Sequence, residues 1–291
     1  MSVVMGALAG ALTAGTLLLL ASPLLYRGLQ HRTRFHRFQD LPVETPATVP
    51  DGTPAFITGR AHSHDDNSIE APVSGEPALL AAWDIHSLRR YHPLGVRYVW
   101  APEALGIDTQ GFEIHDEDHR LSVPDWSRHD RIEGKERLAL TGTGQMPVDG
   151  LDVKGLWIEL DTFDTETRVL PDAELPERLR MLSSRVGAPV ERPARFLPTL
   201  PRLRTPEATL QYREMTVQDG HDVTILGTVD EPHSQNVPRQ IVESDDFPPL
   251  VSPLTPEIIL RRYRRSYWKS IYGLGLIILI VASVVGIGVM L

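Results

Sequence analysis

Two short runs of histidine and acidic residues are the strongest candidates for metal chemistry in this chain. His62 and His64 are separated by one residue and are followed by Asp65 and Asp66. Residues two apart in a strand point to the same face, so both imidazoles could bind one ion beside a carboxylate. The alternative is a solvated acidic turn, which is favoured because no third ligand is fixed by the spacing.

The second run consists of His115 and His119 with Asp116, Glu117 and Asp118 between them. A spacing of four would align the histidines on a helix, but the flanking residues predict strands, so a polar hairpin tip is the favoured interpretation. If the two runs met in space, they would form a divalent metal site. His62, His64, His115 and His119 therefore remain candidate ligands, and none is assigned.

No catalytic residue and no cofactor site is predicted elsewhere in the sequence. The chain has no cysteine, which excludes disulfides, thiolate catalysis and cysteine-based zinc sites. Ser74 lies in VSGEP, which is not the Gly-x-Ser-x-Gly turn of a serine hydrolase. We find neither a phosphate-binding glycine loop nor a dinucleotide fingerprint.

The charge distribution excludes nucleic acid as a partner. The 291-residue chain has a net charge of −9, but residues 40–256 alone carry 20 basic and 37 acidic residues, a net of −17. Nucleic-acid binding depends on cationic contacts to phosphate. Only three lysines accompany 26 arginines, a composition typical of salt-loving organisms, in which ~1 M salt shortens the Debye length to about 3 Å. A high-GC genome with an ordinary acidic domain is the alternative.

Short apolar runs separated by Gly, Pro and Asp predict a mainly β (α+β, barrel-like) soluble domain over 55–256, with one clear short helix at 176–186. A basic collar and Pro-rich linker, 26–54, precedes it. Strands are predicted at 55–61, 79–88, 95–100, 156–160 and 167–170, and hairpins at 111–123 and 210–229.

Two uncharged hydrophobic segments, 3–25 and 271–291, predict transmembrane helices that flank the domain. Basic residues lie on the domain side of both segments, the second set within a juxtamembrane segment, 257–270. The predicted membrane-anchoring residues are Arg27, Arg32, Arg34, Arg37, Arg261, Arg262, Arg264, Arg265, Trp268 and Lys269.

The positive-inside rule then places the domain in the cytoplasm and both termini outside a cell membrane, as a multi-pass protein with the lipid bilayer as a partner. A cleaved signal peptide is the alternative for 3–25, but no basic residue precedes that segment. Glycine and alanine recur four residues apart in both segments, which permits close helix packing within the chain or in a homo-oligomer.

Three sequence blocks in order, between the two apolar segments, resemble the GIDE domain. This is the membrane-flanked domain of MULAN-type mitochondrial ubiquitin ligases, and the resemblance is to a prokaryotic, haloarchaeal member. The blocks cover 57–79, 111–125 and 212–229, and Gly273 lies in a fourth matching stretch. The matching positions within the three blocks are Gly59, Ala71, Pro72, Gly75, Pro77, Phe112, Asp116, Val123, Pro124, Glu214, Gly220, Val223 and Gly227.

The sequence departs from this family in three places. His119 stands where the family's turn carries Gly, and Ala78 to Trp83 lack the usual Cys and Tyr. The ligases also carry a RING finger, whose zinc ligands are mostly cysteine. This chain has no cysteine.

The resemblance therefore implies the β domain without RING-type ligase activity, and we predict no enzyme. The expected function is a non-catalytic scaffold or adaptor that binds other membrane or cytoplasmic proteins. One alternative is a component of a ubiquitin-like protein-modification or quality-control system. The other is a metal or lipid sensor.

Overall fold

The computed structural model describes residues 29, 32–64, 67–91, 97–132, 150–159, 162–170, 173–188, 209–230, 238–243, 247 and 249–290. These residues belong to two compact units, which are described separately. One unit contains the terminal segments up to Leu41 and from Glu257 onward, and the other extends from Pro42 to Pro256.

The described residues form sixteen strands and three helices. The strands are β1 (Val43–Glu44), β2 (Pro54–His62), β3 (Ile69–Glu70), β4 (Pro77–Ala78), β5 (Leu80–Tyr91), β6 (Arg97–Thr109), β7 (Phe112–Asp116), β8 (His119–Val123), β9 (Arg128–Arg131), β10 (Gly150–Val153), β11 (Leu156–Glu159), β12 (Thr165–Val169), β13 (Leu210–Val217), β14 (Asp222–Asp230), β15 (Gln240–Val242) and β16 (Leu250–Ser252). The helices are α1 (32–38), α2 (Glu177–Arg185) and α3 (Pro256–Met290).

Five strands close into a small barrel in the order β2-β7-β8-β15-β14, because β14 also pairs with β2. Only the β8–β15 pair in this ring is parallel. β1 adds to β2 from outside the ring, and β16, β11 and β10 extend the sheet from β14. The predicted barrel-like, mainly β character is thus confirmed. Five-stranded barrels also occur in OB-folds, an analogy of architecture that carries no function.

The barrel interior is filled by alternate residues of its strands. Ile57, Ile114, Leu121, Ile225 and Ile241 are fully buried in one hydrophobic cluster. The period of two places every second side chain inside, and each such burial stabilises the fold by roughly 1.5–3 kcal/mol. Gly59 permits the close approach of β2 and β7, since a Cβ there would lie 2.5 Å from Ile114 Cγ2 and 2.7 Å from the His115 carbonyl oxygen.

A second, antiparallel sheet has the strand order β12-β13-β5-β6-β9. Helix α2 belongs to its hydrophobic cluster, in which Leu179 and Leu182 are buried together with Trp83, Ile85 and Tyr212. The helix begins after Pro176 and ends before Gly187, whose φ of 64° suits a helix terminus. The prediction of a short helix at 176–186 is confirmed.

The prediction of a hairpin at 210–229 is wrong. Gly220 makes the expected turn, with φ of 80°, but the two strands that it connects join different sheets. β13 pairs with β12 and β5, whereas β14 pairs with β2, β15 and β16. The local pattern identified both strands correctly, but each strand pairs with strands other than the one across the turn.

The prediction of two membrane-spanning helices, and with it the multi-pass membrane localisation, is contradicted. None of the helices in the described part of the chain is long and apolar enough to cross a bilayer. The segment 3–25 lies outside the described residues, and the segment 271–291 is not a separate helix, because it continues α3 from Pro256. The predictions of a cytoplasmic domain and of two external termini depended on these spans and are contradicted with them. Membrane anchoring by the flanking basic residues and Trp268 stays a prediction.

The basic residues that were predicted to flank the second span lie within α3 itself. Arg261, Arg264 and Arg265 are exposed on this helix, while Ile259 and Tyr263 are buried. The ring of Tyr263 lies 5.9 Å from that of Phe38. This part of α3 has the two-sided pattern of a helix that packs on protein.

Candidate functional site

The outer face of the barrel carries a row of polar side chains across three neighbouring strands. Asp222 of β14 is paired in register with Arg60 of β2, which is paired in turn with His115 of β7. Residues directly opposite each other in antiparallel strands share a face of the sheet. The adjacent residues Ala61 and Ile114 are buried in the core, so this row faces outward.

The two histidine runs of the sequence meet next to this row. The ring centroids of His62 and His115 are 4.5 Å apart. Nε2 of His115 donates a hydrogen bond to Oε2 of Glu113 at 2.8 Å, and Nδ1 of His64 lies 3.4 Å from Oε1 of the same carboxylate. We call His62, His64, Glu113 and His115 the histidine cluster.

The electrostatics of the cluster keep Glu113 ionised. Burial of this side chain, which is only 6% exposed, raises its pKa. The hydrogen bond from His115 and the positive charges of Arg120, His115 and His64 outweigh that effect, and the pKa of Glu113 is lowered below its ordinary value. A carboxylate with a lowered pKa is a weak base, so Glu113 serves to hold the cluster together.

The cluster does not assemble all the predicted ligands. His119 is exposed at the start of β8, in register with Asp116, and contacts none of the other three histidines among the described residues. Asp65 and Asp66 lie outside the described residues. In the part of the chain that the structure describes, no three His, Asp or Glu side chains are arranged to hold a metal ion.

A groove of about 590 Å³ lies over the outward row, and His115 is among its lining residues. Its charged lining consists of Asp116, Glu117, Asp222 and Arg60, and the guanidinium of Arg60 is already paired with Asp222 at 3.6 Å. Hydroxyl groups complete the polar lining, from Thr45, Thr58, Thr224 and Thr255. We call this surface the acidic groove, and its carboxylates and hydroxyls suit a cationic ligand.

The second sheet contains another carboxylate with a perturbed pKa, but it lies in the interior. Asp84 is fully buried and accepts two hydrogen bonds from the guanidinium of Arg213, one of them from Nε at 2.9 Å. Nδ1 of His86 lies 3.4 Å from Asp84 Oδ1. Burial raises the pKa of Asp84. The charges and hydrogen bonds of His86 and Arg213 lower it by a larger amount, so the net shift is downward.

Glu214, the neighbour of Arg213, points to the opposite face of the same sheet. Its carboxylate accepts hydrogen bonds from the backbone N–H groups of Val73 and Ser74, both at 2.8 Å, and from Ser74 Oγ at 2.6 Å. Asp84, His86 and Glu214 are at most 2% exposed. These residues therefore stabilise the fold and cannot reach a substrate.

Sequence reasoning missed Glu113, Arg60 and Asp222. Glu113 was recognisable, because it lies two residues before His115 in a predicted strand and so shares a face with it. Arg60 and Asp222 had no local signal, since only the pairing of β2 with β14 brings them together.

Comparisons with models of protein families, with curated proteins and with solved structures find no match to this chain. The resemblance to the GIDE domain therefore stays a prediction.

Proposed function

We propose that this protein is a non-catalytic adaptor whose acidic β domain binds a cationic segment of another protein. The observation that carries the proposal is the acidic groove, in which Asp116, Glu117 and Asp222 face a single guanidinium. The side chains of Asp116 and Glu117 form no hydrogen bond or ion pair with other described residues, so both carboxylates are available to a ligand. The net charge of −17 over residues 40–256 attracts a cationic segment from a distance.

Two carboxyl groups of the described chain have perturbed pKa values that do not suit acid-base catalysis. These are Asp84 and Glu113, and both pKa shifts are downward. A general acid or base at neutral pH needs a carboxyl pKa that is raised toward the working pH. Both groups are also engaged by their own cationic neighbours.

The groove is tested by the affinity of a short fluorescein-labelled peptide in which arginine and glycine alternate, measured by fluorescence anisotropy. The full chain is compared with the double variant Asp116→Asn, Glu117→Gln. We expect the double variant to bind about tenfold more weakly, because two exposed charge contacts of roughly 0.7 kcal/mol each are lost. At ~1 M salt the affinity should fall, because exposed charges are then screened beyond about 3 Å.

Asp118→Asn is the matched control for this experiment. Asp118 lies on the same hairpin tip and is exposed, but it does not line the groove. Equal weakening by Asp118→Asn would show that overall charge drives binding, and it would contradict a specific role of the groove.

The contacts of His64 and His115 with Glu113, and of His62 with the ring of His115, favour a second function, in which the cluster senses protons. The facing charged groups are Arg120 of β8, Asp219 beside His62, and Arg60 and Asp222 of the outward row. A positive charge on the ring of His115, which lines the acidic groove and lies 4.5 Å from the ring of His62, would add to the charge at the groove. This charge would weaken the binding of a cationic segment.

The sensor is tested by measuring the affinity of the same arginine peptide between about pH 5 and pH 8, the range in which histidine ordinarily titrates. We expect affinity to fall toward acid pH in the unmodified chain. His115→Gln should flatten the profile, whereas His119→Gln, a histidine outside the cluster, should leave it unchanged. A profile that His115→Gln does not alter would exclude the cluster as the sensor.

A further inference from the structure

A second pocket lies on the other sheet, between helix α2 and the turn that follows β3. It has a volume of about 210 Å³ and is lined by Glu70, Ala71, Pro72, Arg178, Met181, Leu182 and Arg185. We call it the arginine notch. Two arginines and one glutamate line it, and because Arg185 is paired with Asp108, Arg178 carries the positive charge that the notch can offer to a ligand.

Arg178 is the available cation of the notch. It is exposed, and no acceptor among the described residues pairs with its guanidinium. Its Nη1 lies 3.0 Å from the position that a Cβ of Gly75 would occupy, and Glu70 Oε1 lies 3.6 Å from the same position. The guanidinium therefore stands near Glu70 at the wall of the notch.

Arg185, by contrast, is held in place by its neighbours. Its Nη2 donates a hydrogen bond to Asp108 Oδ2 at 2.6 Å, and its guanidinium carbon lies 5.5 Å from the centre of the Trp83 ring. The indole N–H of Trp83 donates to the same Asp108 oxygen at 2.9 Å. Arg185 is thus fixed in position and its charge is compensated by Asp108, which leaves Arg178 as the cation that a ligand can reach.

The notch also has an apolar part. The side chain of Met181 is 60% exposed on the helix surface between the two arginines. Ala71 and Pro72 form the opposite wall, next to Val73 and Ser74, whose backbone is anchored by the buried carboxylate of Glu214. Both walls are therefore positioned by contacts within the second sheet.

We propose that the arginine notch binds an acidic segment of a partner polypeptide, one that presents a carboxylate beside an apolar side chain. Arg178 receives the carboxylate, since guanidinium groups match its planar geometry with two parallel hydrogen bonds. Met181 and Pro72 contact the apolar side chain. Glu70 disfavours a doubly charged phosphate, because it places a negative charge next to the same guanidinium. With the acidic groove on the barrel, the domain would hold two partners of opposite charge.

The test uses a short fluorescein-labelled peptide in which glutamate and leucine alternate, with binding to the full chain followed by fluorescence anisotropy at ~0.15 M salt. Arg178→Gln should weaken binding about tenfold, as expected when a charge-assisted contact is lost. Met181→Ser should weaken it by a smaller factor. A peptide with glutamine in place of glutamate should bind as weakly as the glutamate peptide binds to Arg178→Gln.

Arg180→Gln is the matched control, because Arg180 lies on the same helix but is paired with Glu177 and does not line the notch. The double variant Asp116→Asn, Glu117→Gln should bind the glutamate peptide as the unmodified chain does, so the two surfaces are tested independently. Equal losses in Arg178→Gln and Arg180→Gln, or a dissociation constant above about 1 mM for the unmodified chain, would overturn the proposal. Tighter binding of a phosphoserine peptide would overturn the choice of carboxylate.

Discussion

The acidic groove on the barrel and the interior of the second sheet both contain carboxylates, but they differ in whether the protein supplies donors to them. In the second sheet, Asp84 and Glu214 are buried and receive several charged or polar donors each. On the barrel, Asp116 and Glu117 lie at a surface groove without such donors among the described residues. Negative charge alone therefore does not identify a binding site, and the useful distinction is whether the protein already satisfies the carboxylate.

The largest expected effect is that of Asp84→Asn on stability. The substitution leaves the guanidinium of Arg213, whose side chain is only 15% exposed, without its carboxylate partner. Breaking a buried pair by removing one partner destabilises a protein by roughly 3–5 kcal/mol. Urea unfolding of the full chain measures the loss. A loss below about 1 kcal/mol is the value of an exposed ion pair. It would show that Asp84 stabilises the fold no more than an exposed carboxylate does.

Glu214→Gln is expected to have the next largest effect. The amide keeps the shape of the side chain but loses the charge, and its NH₂ group cannot accept a hydrogen bond from Val73 or Ser74. Loss of charge-assisted bonds at a buried site predicts a destabilisation of about 2–3 kcal/mol. Faster amide hydrogen exchange at Val73 and Ser74 would locate the change, and unchanged exchange there would contradict the anchoring role.

Acid pH should reduce the contribution of Asp84 to the stability of the fold, which is the property that distinguishes it from the groove carboxylates. The pKa of Asp84 is lower in the folded chain than its ordinary value of 3.8, so its stabilisation is fully present above that value and is lost as the pH falls through the folded pKa. We therefore expect the difference in the free energy of unfolding between the unmodified chain and Asp84→Asn to be constant at neutral pH and to shrink below about pH 4. A constant difference down to about pH 2 would contradict the lowered pKa.

Asp222→Asn should have the smallest effect on stability. The Arg60–Asp222 pair is 3.6 Å long, and its side chains are 71% and 88% exposed. Exposed pairs of this kind contribute about 0.5 kcal/mol. The same variant should weaken binding of the arginine peptide, because it removes a groove carboxylate. If Asp222→Asn lowers the free energy of unfolding but leaves the affinity for the arginine peptide unchanged, Asp222 stabilises the fold and does not bind the ligand.

Sequence patterns predicted most of the local structure and little of the assembly. The runs at 55–61, 79–88 and 111–123 were identified as strands, because alternation and turn residues act over a few positions. The hairpin at 210–229 was wrong, because the same alternation does not specify which partner a strand takes. The two apolar segments predicted membrane spans from their composition alone, and the described part of the chain has no helix suited to that role.

The candidate site was recognised only in pieces. His62, His64 and His115 were candidate ligands from their local spacing, but their convergence depends on the pairing of β2 with β7 across a long insertion. His119 fulfilled the same sequence criterion and lies apart. The arginine notch was not predicted, since Arg178 and Pro72 are far apart in sequence and only the packing of α2 on the second sheet brings them together.

The closed ring of five strands has a consequence for how the chain reaches its native state. Two long excursions leave the ring, one between β2 and β7 and the other between β8 and β14, and the second sheet takes β5 and β6 from the first and β9, β12 and β13 from the second. Neither sheet is encoded by a continuous piece of the chain. Native contacts thus join residues with large sequence separations, a topology that folds in milliseconds to seconds rather than microseconds. We expect both sheets to form in one cooperative step, so that partner binding on either sheet slows the unfolding of both.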